Sequence, residues 1–155
     1  MKYDIARKSM SPGDIVAFKH SDIMSKIIIL STGYDCSHVG LVWRAGERVF
    51  VIEAVMPMIR IYPLSKLLPF RWIAMDKPMS ADGEEYALSR VGEKYSVSEA
   101  VRGYFGMASN NNRWQCAEFV RAVLNHSGWK FDNRDTPGDL VVAAIDAGGI
   151  INLVQ

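Results

Sequence analysis

The order of its elements predicts that this chain folds as an α+β domain. Two patterns carry the expectation. From Asp14 to about Asp76 the sequence is a series of β-branched and aromatic runs punctuated by Gly, Pro or charge, and after Pro78 helical periodicity takes over. Strands followed by helices indicate α+β rather than a parallel α/β sheet. Composition sets the scale. With 155 residues, 49% apolar and 23% charged, the chain is expected to form one domain over 1–155, large enough to bury a core without a metal or disulfide staple.

The elements follow in order. DIVAF, HVGLVWR, RVFVIEAV, IRIY and FRWIAM read as strands. Between the first two, SDIMSKIIILSTG has Ser21 as N-cap, Gly33 as C-terminal cap and Ile23, Ile27 and Leu30 at helical spacing, so it reads as a helix, although IIIL alone would suit a buried strand. SADGEEYALSRVGEKY starts a second helix, with Asp82 and Glu85 at capping-box spacing and Gly92 as the stop. RWQCAEFVRAVLNHSG sets Cys116, Val120, Val123 and Leu124 on one stripe, with Asn110 to Asn112 as cap candidates and Gly128 after it. TPGDLVVAAIDAGG has Thr136 as N-cap, Pro137 at the first helical position and Gly148 as terminator.

Charge and composition exclude several functions. The formal charge is +1, with both signs interspersed, which leaves no electrostatic footprint for nucleic acid. No run reaches the roughly 18 apolar residues of a membrane span, and no apolar stretch follows the basic start as a Sec signal would require. A soluble protein, cytoplasmic by default unless exported by a signal-independent route, is expected. Two cysteines, Cys36 and Cys116, are too few for a disulfide framework.

The hairpin after Ser37 brings polar residues together. A two-residue loop at Ala45-Gly46 sets Arg44 opposite Glu47, a four-residue loop sets Trp43 opposite Arg48, and both registers set His38 opposite Glu53. Both faces of this hairpin look buried, so the pair needs a reason. A carboxylate on one imidazole nitrogen fixes the tautomer and leaves the other nitrogen as a base; the plainer alternative is a buried ion pair that satisfies itself. Cys116 lies in the first turn of its helix, where free N–H groups and the helix dipole favour a thiolate. It could equally pack as a small hydrophobe.

Six segments in order, SPGDIVAF, STGYDCSHVGLV, VIEA, VGEKYS, WQCAEFVRAVL and TPGDL, resemble the circularly permuted branch of the NlpC-type papain-like cysteine hydrolases, in which the histidine precedes the cysteine. The resemblance runs from about Ser11 to Leu140. It implies a permuted papain-like fold, a small antiparallel sheet or half-barrel packed against helices. It implies that Cys116 is the nucleophile, His38 the general base and Glu53 the residue that orients His38, in agreement with the hairpin geometry. The Cys116 N–H is then the oxyanion donor. The family's G-x-x-Y pattern falls on Gly92 and Tyr95, making Tyr95 a candidate substrate contact; Ser96 follows where many relatives carry an acid. In SVSEAVRGYFGMASNNN, Tyr104 and Phe105 lie on either a substrate-contacting lid or a loop whose aromatics plug the core.

The implied chemistry is amide cleavage through an acyl-thioester, with no cofactor. Peptidoglycan stem peptides or other peptide and isopeptide substrates are the expected targets, and transfer or removal of acyl groups on lipids or proteins is the alternative. A silent binding module of the same fold is a rival. So is a zinc site from Cys36, His38 and Cys116, against which the absence of C-x-x-C spacing argues, so that no metal is expected. Cys36 otherwise reads as a spectator thiol or a disulfide partner of Cys116; His20 and His126 are assigned no role.

Overall fold

The computed structural model of the chain describes residues 1–19, 36–95, 114–132 and 136–155. The helix expected over SDIMSKIIILSTG, the cap candidates Asn110 to Asn112 and the segment that carries Tyr104 lie outside the described residues.

The α+β class is what the structure shows. The strands are β1 (Ile15–Phe18), β2 (His38–Ala45), β3 (Arg48–Val55), β4 (Met58–Pro63), β5 (Phe70–Ala74) and β6 (Ile150–Val154). The helices among the described residues are α1 (Tyr3–Ser9), α2 (Ala81–Ser89), α3 (Cys116–His126) and α4 (Pro137–Asp146). The strands form one sheet in the order β4-β3-β2-β1-β5-β6, and every pairing is antiparallel. The first five strands are the five predicted runs.

Both faces of the sheet are covered, as the two-sided apolar pattern of the central strands requires. Ile15, Ala17, Leu41, Ile52 and Ile73 pack with Phe119, Val123 and Leu124 of α3 and Leu140 of α4. The alternate residues Val16, Phe18, Val42, Val51 and Trp72 pack with Ala6 of α1, Met10 and Leu64, the last on a 3₁₀ turn over Leu64–Lys66. Each fully buried large apolar side chain contributes about 1.5–3 kcal/mol, so α3, whose whole predicted stripe is buried, is pinned to the sheet by packing. None of the helices is long and apolar enough, over the described residues, to cross a membrane.

Several local expectations need correction. The α2 cap is Ser80, whose Oγ accepts from Gly83 N at 3.1 Å; Asp82 lies inside the first turn, where its charge favours the helix dipole instead. The residue that caps α3 is Gln115, immediately before the nucleophile candidate. Thr136 caps α4 as expected, accepting from Asp139 N at 3.1 Å, with Pro137 at the first position. The sheet also has a sixth strand after the last helix, and α1 before the first strand. Met1 N donates to Leu153 O at 2.7 Å and Tyr3 N to Gln155 O at 2.9 Å, so the two chain ends hold each other.

The β2–β3 turn falls on Gly46-Glu47, one position later than the two-residue loop expected. Gly46 has φ +59, as the first central residue of a type II′ turn requires and as Gly alone adopts freely. Arg44 therefore faces Val49 and Leu41 faces Ile52. Continuing that register sets Gly40, not His38, across from Glu53. Because side chains alternate with period two, a slip of two residues leaves His38 and Glu53 on one face as diagonal neighbours.

Asp14, at the turn into β1, ties three elements together. Its Oδ2 accepts from Ser11 N at 2.8 Å and Trp72 Nε1 at 2.8 Å, its Oδ1 from Met75 N at 2.9 Å, and its backbone O from Val42 N at 2.8 Å. Burial raises its carboxyl pKa, and the three donors oppose that shift. Asp14→Ala strands those donors and is expected to cost about 2–3 kcal/mol, read as a lower urea midpoint by tryptophan fluorescence. A loss under roughly 0.5 kcal/mol, the range of an ordinary surface change, would show that the carboxylate does not hold these elements.

Candidate active site

The candidate residues meet at one end of the sheet. His38 is the first residue of β2 and pairs with Phe18, the last of β1, and the two rings stack at 5.7 Å between centroids. Glu53 approaches from the end of β3. Its Oε2 accepts from His38 Nε2 at 2.7 Å, with Glu53 2% and His38 7% exposed. Gly40 makes room for this diagonal contact: a Cβ there would lie 2.5 Å from Val51 Cγ2 and 3.1 Å from the Cβ of Glu53.

Cys116 comes to His38 from above the sheet, as the first residue of α3. Gln115 before it is extended, with φ −101 and ψ 163, and its N–H donates to Glu118 Oε2 at 3.4 Å. Further back, Trp114 N donates to Lys94 O at 3.0 Å, its indole N–H donates to Glu93, and Trp114 bridges to Tyr95. Tyr95 N in turn donates to Pro57 O at 2.9 Å. The VGEKY segment thus anchors the entry to α3 against the end of β4, and Tyr95 stands beside the residue two before Cys116. The Cys116 side chain, in a residue 5% exposed, lies close enough to the His38 ring to act on its charge. Glu53 meets the ring at Nε2, so the carboxylate does not occupy Nδ1.

The electrostatics follow from this chain of contacts. Burial is the largest single influence on His38 and acts to lower its pKa, but hydrogen bonds and charge from Cys116 and Glu53 outweigh it and raise the imidazole to about 10. Burial likewise acts to raise Glu53, and His38 together with Arg60 reverses it, holding the carboxyl below its usual range. Arg60 is the residue of this cluster that sequence reading missed. Its Nε and Nη2 donate to Glu53 Oε1 at 2.9 and 2.8 Å from the facing position on β4. The available signal was its alternation with Ile59 and Ile61 in IRIY, which sets a cation where the β3 partner is acidic.

Cys36 lies close to Cys116 but is engaged differently. Its Sγ donates to the backbone O of His38 at 3.5 Å, and burial, with the nearby Cys116 charge, pushes it up to about 12. Cys36, His38 and Cys116 do not form a metal set, and among the described residues no group of three or more His, Cys, Asp or Glu could hold a metal ion. His126 stacks on Tyr86 at 3.7 Å, away from these residues.

No family model matches the chain, and no curated protein matches it. Among solved structures it is similar to the metalloprotein yiiX from Escherichia coli O157:H7, DUF1105, with a TM-score of 0.63 and 22% identity over 77% of this chain and 67% of that one. At that identity the likeness shows the fold alone.

Linkage fixes the pH dependence of the pair. The folded pKa of His38 lies above its unfolded value, so its contribution to stability is full below about pH 6.5 and is lost as pH rises toward about 10. Glu53 is lowered, so its contribution is present above its unfolded value and is lost as pH falls through its depressed folded one. Histidine NMR titration is expected to find His38 protonated well beyond the ordinary midpoint of about 6.5, and to find that midpoint lowered in Cys116→Ala and in Glu53→Gln. A wild-type midpoint near the ordinary value, indifferent to both substitutions, would refute the coupling.

Proposed function

We propose that this protein is a cysteine hydrolase of the circularly permuted NlpC-type papain-like class, cleaving amide bonds through an acyl-thioester on Cys116. One observation carries the reading: His38 is bonded to Glu53 in a buried pair, and Cys116, at a helix start, is close enough to act on the same imidazole. A self-satisfied His–Glu ion pair needs no cysteine beside it.

The chemistry follows from those positions. His38, held protonated by its neighbours, keeps the proton given up by the thiol as an imidazolium, and the Cys116 thiolate attacks the substrate carbonyl carbon. The resulting oxyanion is stabilised by the backbone N–H of Cys116, one of the unpaired donors of the first turn of α3. The tetrahedral adduct collapses, the C–N bond breaks, and the imidazolium gives its proton to the leaving amine. Water then gives a proton to His38 while its oxygen attacks the thioester, which releases the acid and restores the thiol. Glu53 orients the imidazole through Nε2, so that proton exchange falls to Nδ1, and stabilises the ring when charged. No step requires a cofactor.

The substrate is a peptide or other acyl compound. Peptidoglycan stem peptides are the leading candidate on the resemblance, and acyl transfer on lipid or protein is the alternative. Tyr95, beside the entry to α3, stands where substrate would pass, and Tyr104 is proposed as a second contact.

The test is alkylation by sub-stoichiometric iodoacetamide from pH 5 to 9, followed by intact mass and peptide mapping, with metal content measured on the same protein. Cys116 is expected to outpace a free thiol, which ionises near pH 8.5, when assayed at pH 6, and to slow at least tenfold in His38→Ala. Cys36, buried and engaged, should stay unlabelled. Slow labelling indifferent to His38 would overturn the hydrolase reading in favour of a binding module, or of a metal site if stoichiometric zinc were present. On a cleaved amide substrate, Cys116→Ala and His38→Ala should each lose about 10²-fold or more of turnover, and Glu53→Gln less, because it keeps an acceptor for Nε2.

A further inference from the structure

We propose that Arg60 is a positioning residue for this site, holding Glu53 by Oε1 so that Oε2 stays aimed at His38. The inference rests on the hydrolase reading and deepens it. Glu53 divides its two oxygens: Oε2 accepts from His38 Nε2 at 2.7 Å, while Oε1 takes both Nε and Nη2 of Arg60. The donors arrive from opposite sides, His38 from β2 and Arg60 from the directly paired position on β4. With an oxygen committed on each side, the carboxylate has little freedom to turn about its last bond.

Arg60 is itself restrained. Its guanidinium lies over the Tyr62 ring at 4.5 Å, two residues along the same strand and so on the same face. Its side chain is 42% exposed against 2% for Glu53. The arginine therefore keeps much of its hydration while it neutralises a carboxylate that has almost none. A buried carboxylate that loses one of two charged partners is driven by desolvation to take up a proton. Protonated, Glu53 no longer stabilises the imidazolium, and it is free to rotate away from Nε2. Lysine would keep the charge but not the two-pronged donor geometry.

Glu53 faces His38 from β2 and Arg60 from β4, and His38 faces Cys116 from α3. Cys36, ahead of β2, meets the His38 backbone rather than its ring, and Arg71 of β5 acts on Cys36.

The experiment measures the rate of Cys116 alkylation by iodoacetamide from pH 5 to 9 in wild type, Arg60→Met, Arg60→Lys, Glu53→Gln and the double variant Arg60→Met/Glu53→Gln, with thermal melting followed in each. Methionine keeps a flexible stem over Tyr62. Arg60→Met is expected to slow alkylation at pH 6 about tenfold and to move the acid limb of the pH profile upward, and Arg60→Lys to recover part of the rate. The double variant should react no more slowly than Glu53→Gln alone, because Arg60 acts through Glu53. If Arg60→Met keeps the wild-type rate and pH profile, or adds its full factor on top of Glu53→Gln, the inference fails while the hydrolase reading stands. If wild-type Cys116 reacts no faster than a free thiol at pH 6, the hydrolase reading fails and takes the inference with it. Should Arg60→Met not fold, Arg60→Lys against wild type carries the test: an unchanged rate and pH profile overturns the inference.

Discussion

A carboxylate and an imidazole in contact at 2.7 Å, both almost wholly removed from water, constrain everything else at this end of the sheet. Two polar groups buried without compensation would cost several kcal/mol, and stripping one partner from such a pair costs as much again. Compensation here is spatially ordered. Arg60 balances the carboxylate from one side, and the Cys116 side chain acts on the ring from the other. The site is therefore a row running across β4, β3 and β2 to the start of α3. Each member is held by the next, and none of them is on a freely moving side chain. This is the arrangement that an oriented general base needs, and it is built from strand positions rather than loops.

Strand register decides whether that row exists. A shift of one residue between β2 and β3 would move Glu53 to the face of Ile52 and Ala54, into the cluster beneath α3 and α4. The apolar residues of both faces forbid it, since the same shift would exchange every neighbour of Val51 and Ile52. Within a face the register still has to be set, and here the turn and Gly40 act together. Gly46 fixes where the chain reverses, and the missing side chain at Gly40 lets Glu53 lean toward His38 along the diagonal. Direct opposition of the pair, as expected from the sequence, would have left no room to explain why a glycine stands in the middle of a buried strand. A glycine there weakens the strand by roughly 0.5–1 kcal/mol relative to alanine, and the space it leaves is filled by Val51 Cγ2 and the Cβ of Glu53.

What the sequence made legible is what periodicity controls. The five early strands alternate or run apolar, and α3 and α4 repeat at helical spacing, so both element type and buried face could be read. Caps were legible where the side chain and backbone agreed, as at Thr136 and Pro137, and misread where two polar residues competed, as at Ser80 and Asp82. Elements held by contacts distant in sequence were not legible at all. β6 leaves Ile150, Ile151 and Leu153 exposed at the sheet edge and is a strand because β5 and the N-terminal residues pair with it. α1 buries little beyond Ala6. The candidate site divides in the same way: His38 and Glu53 share a local hairpin whose faces survive a two-residue slip, whereas Arg60 required the β3–β4 register, which no turn motif announced.

The two cysteines differ in position rather than residue type, and the proposed reading makes only Cys116 the reactive thiol. Cys36 and Cys116 are both buried, both near His38 and close enough to influence each other. Cys36 stands just before a strand, with its sulfur spent on the backbone oxygen of His38, so the nearest polarity is a carbonyl dipole whose negative end faces it. Burial, with the nearby Cys116 charge, outweighs the opposing pull of Arg71 and of the backbone hydrogen bonds, and the thiol is pushed far from ionisation. Cys116 stands at a helix start, with the positive end of the helix behind it and an imidazole in front that Glu53 is placed to stabilise when charged. A proton leaving this sulfur has somewhere to go, and the charge left behind has donors around it. Exchanging the surroundings of the two residues would exchange their chemistry, and those surroundings are set by the start of α3 and the ends of β1, β2, β3 and β4.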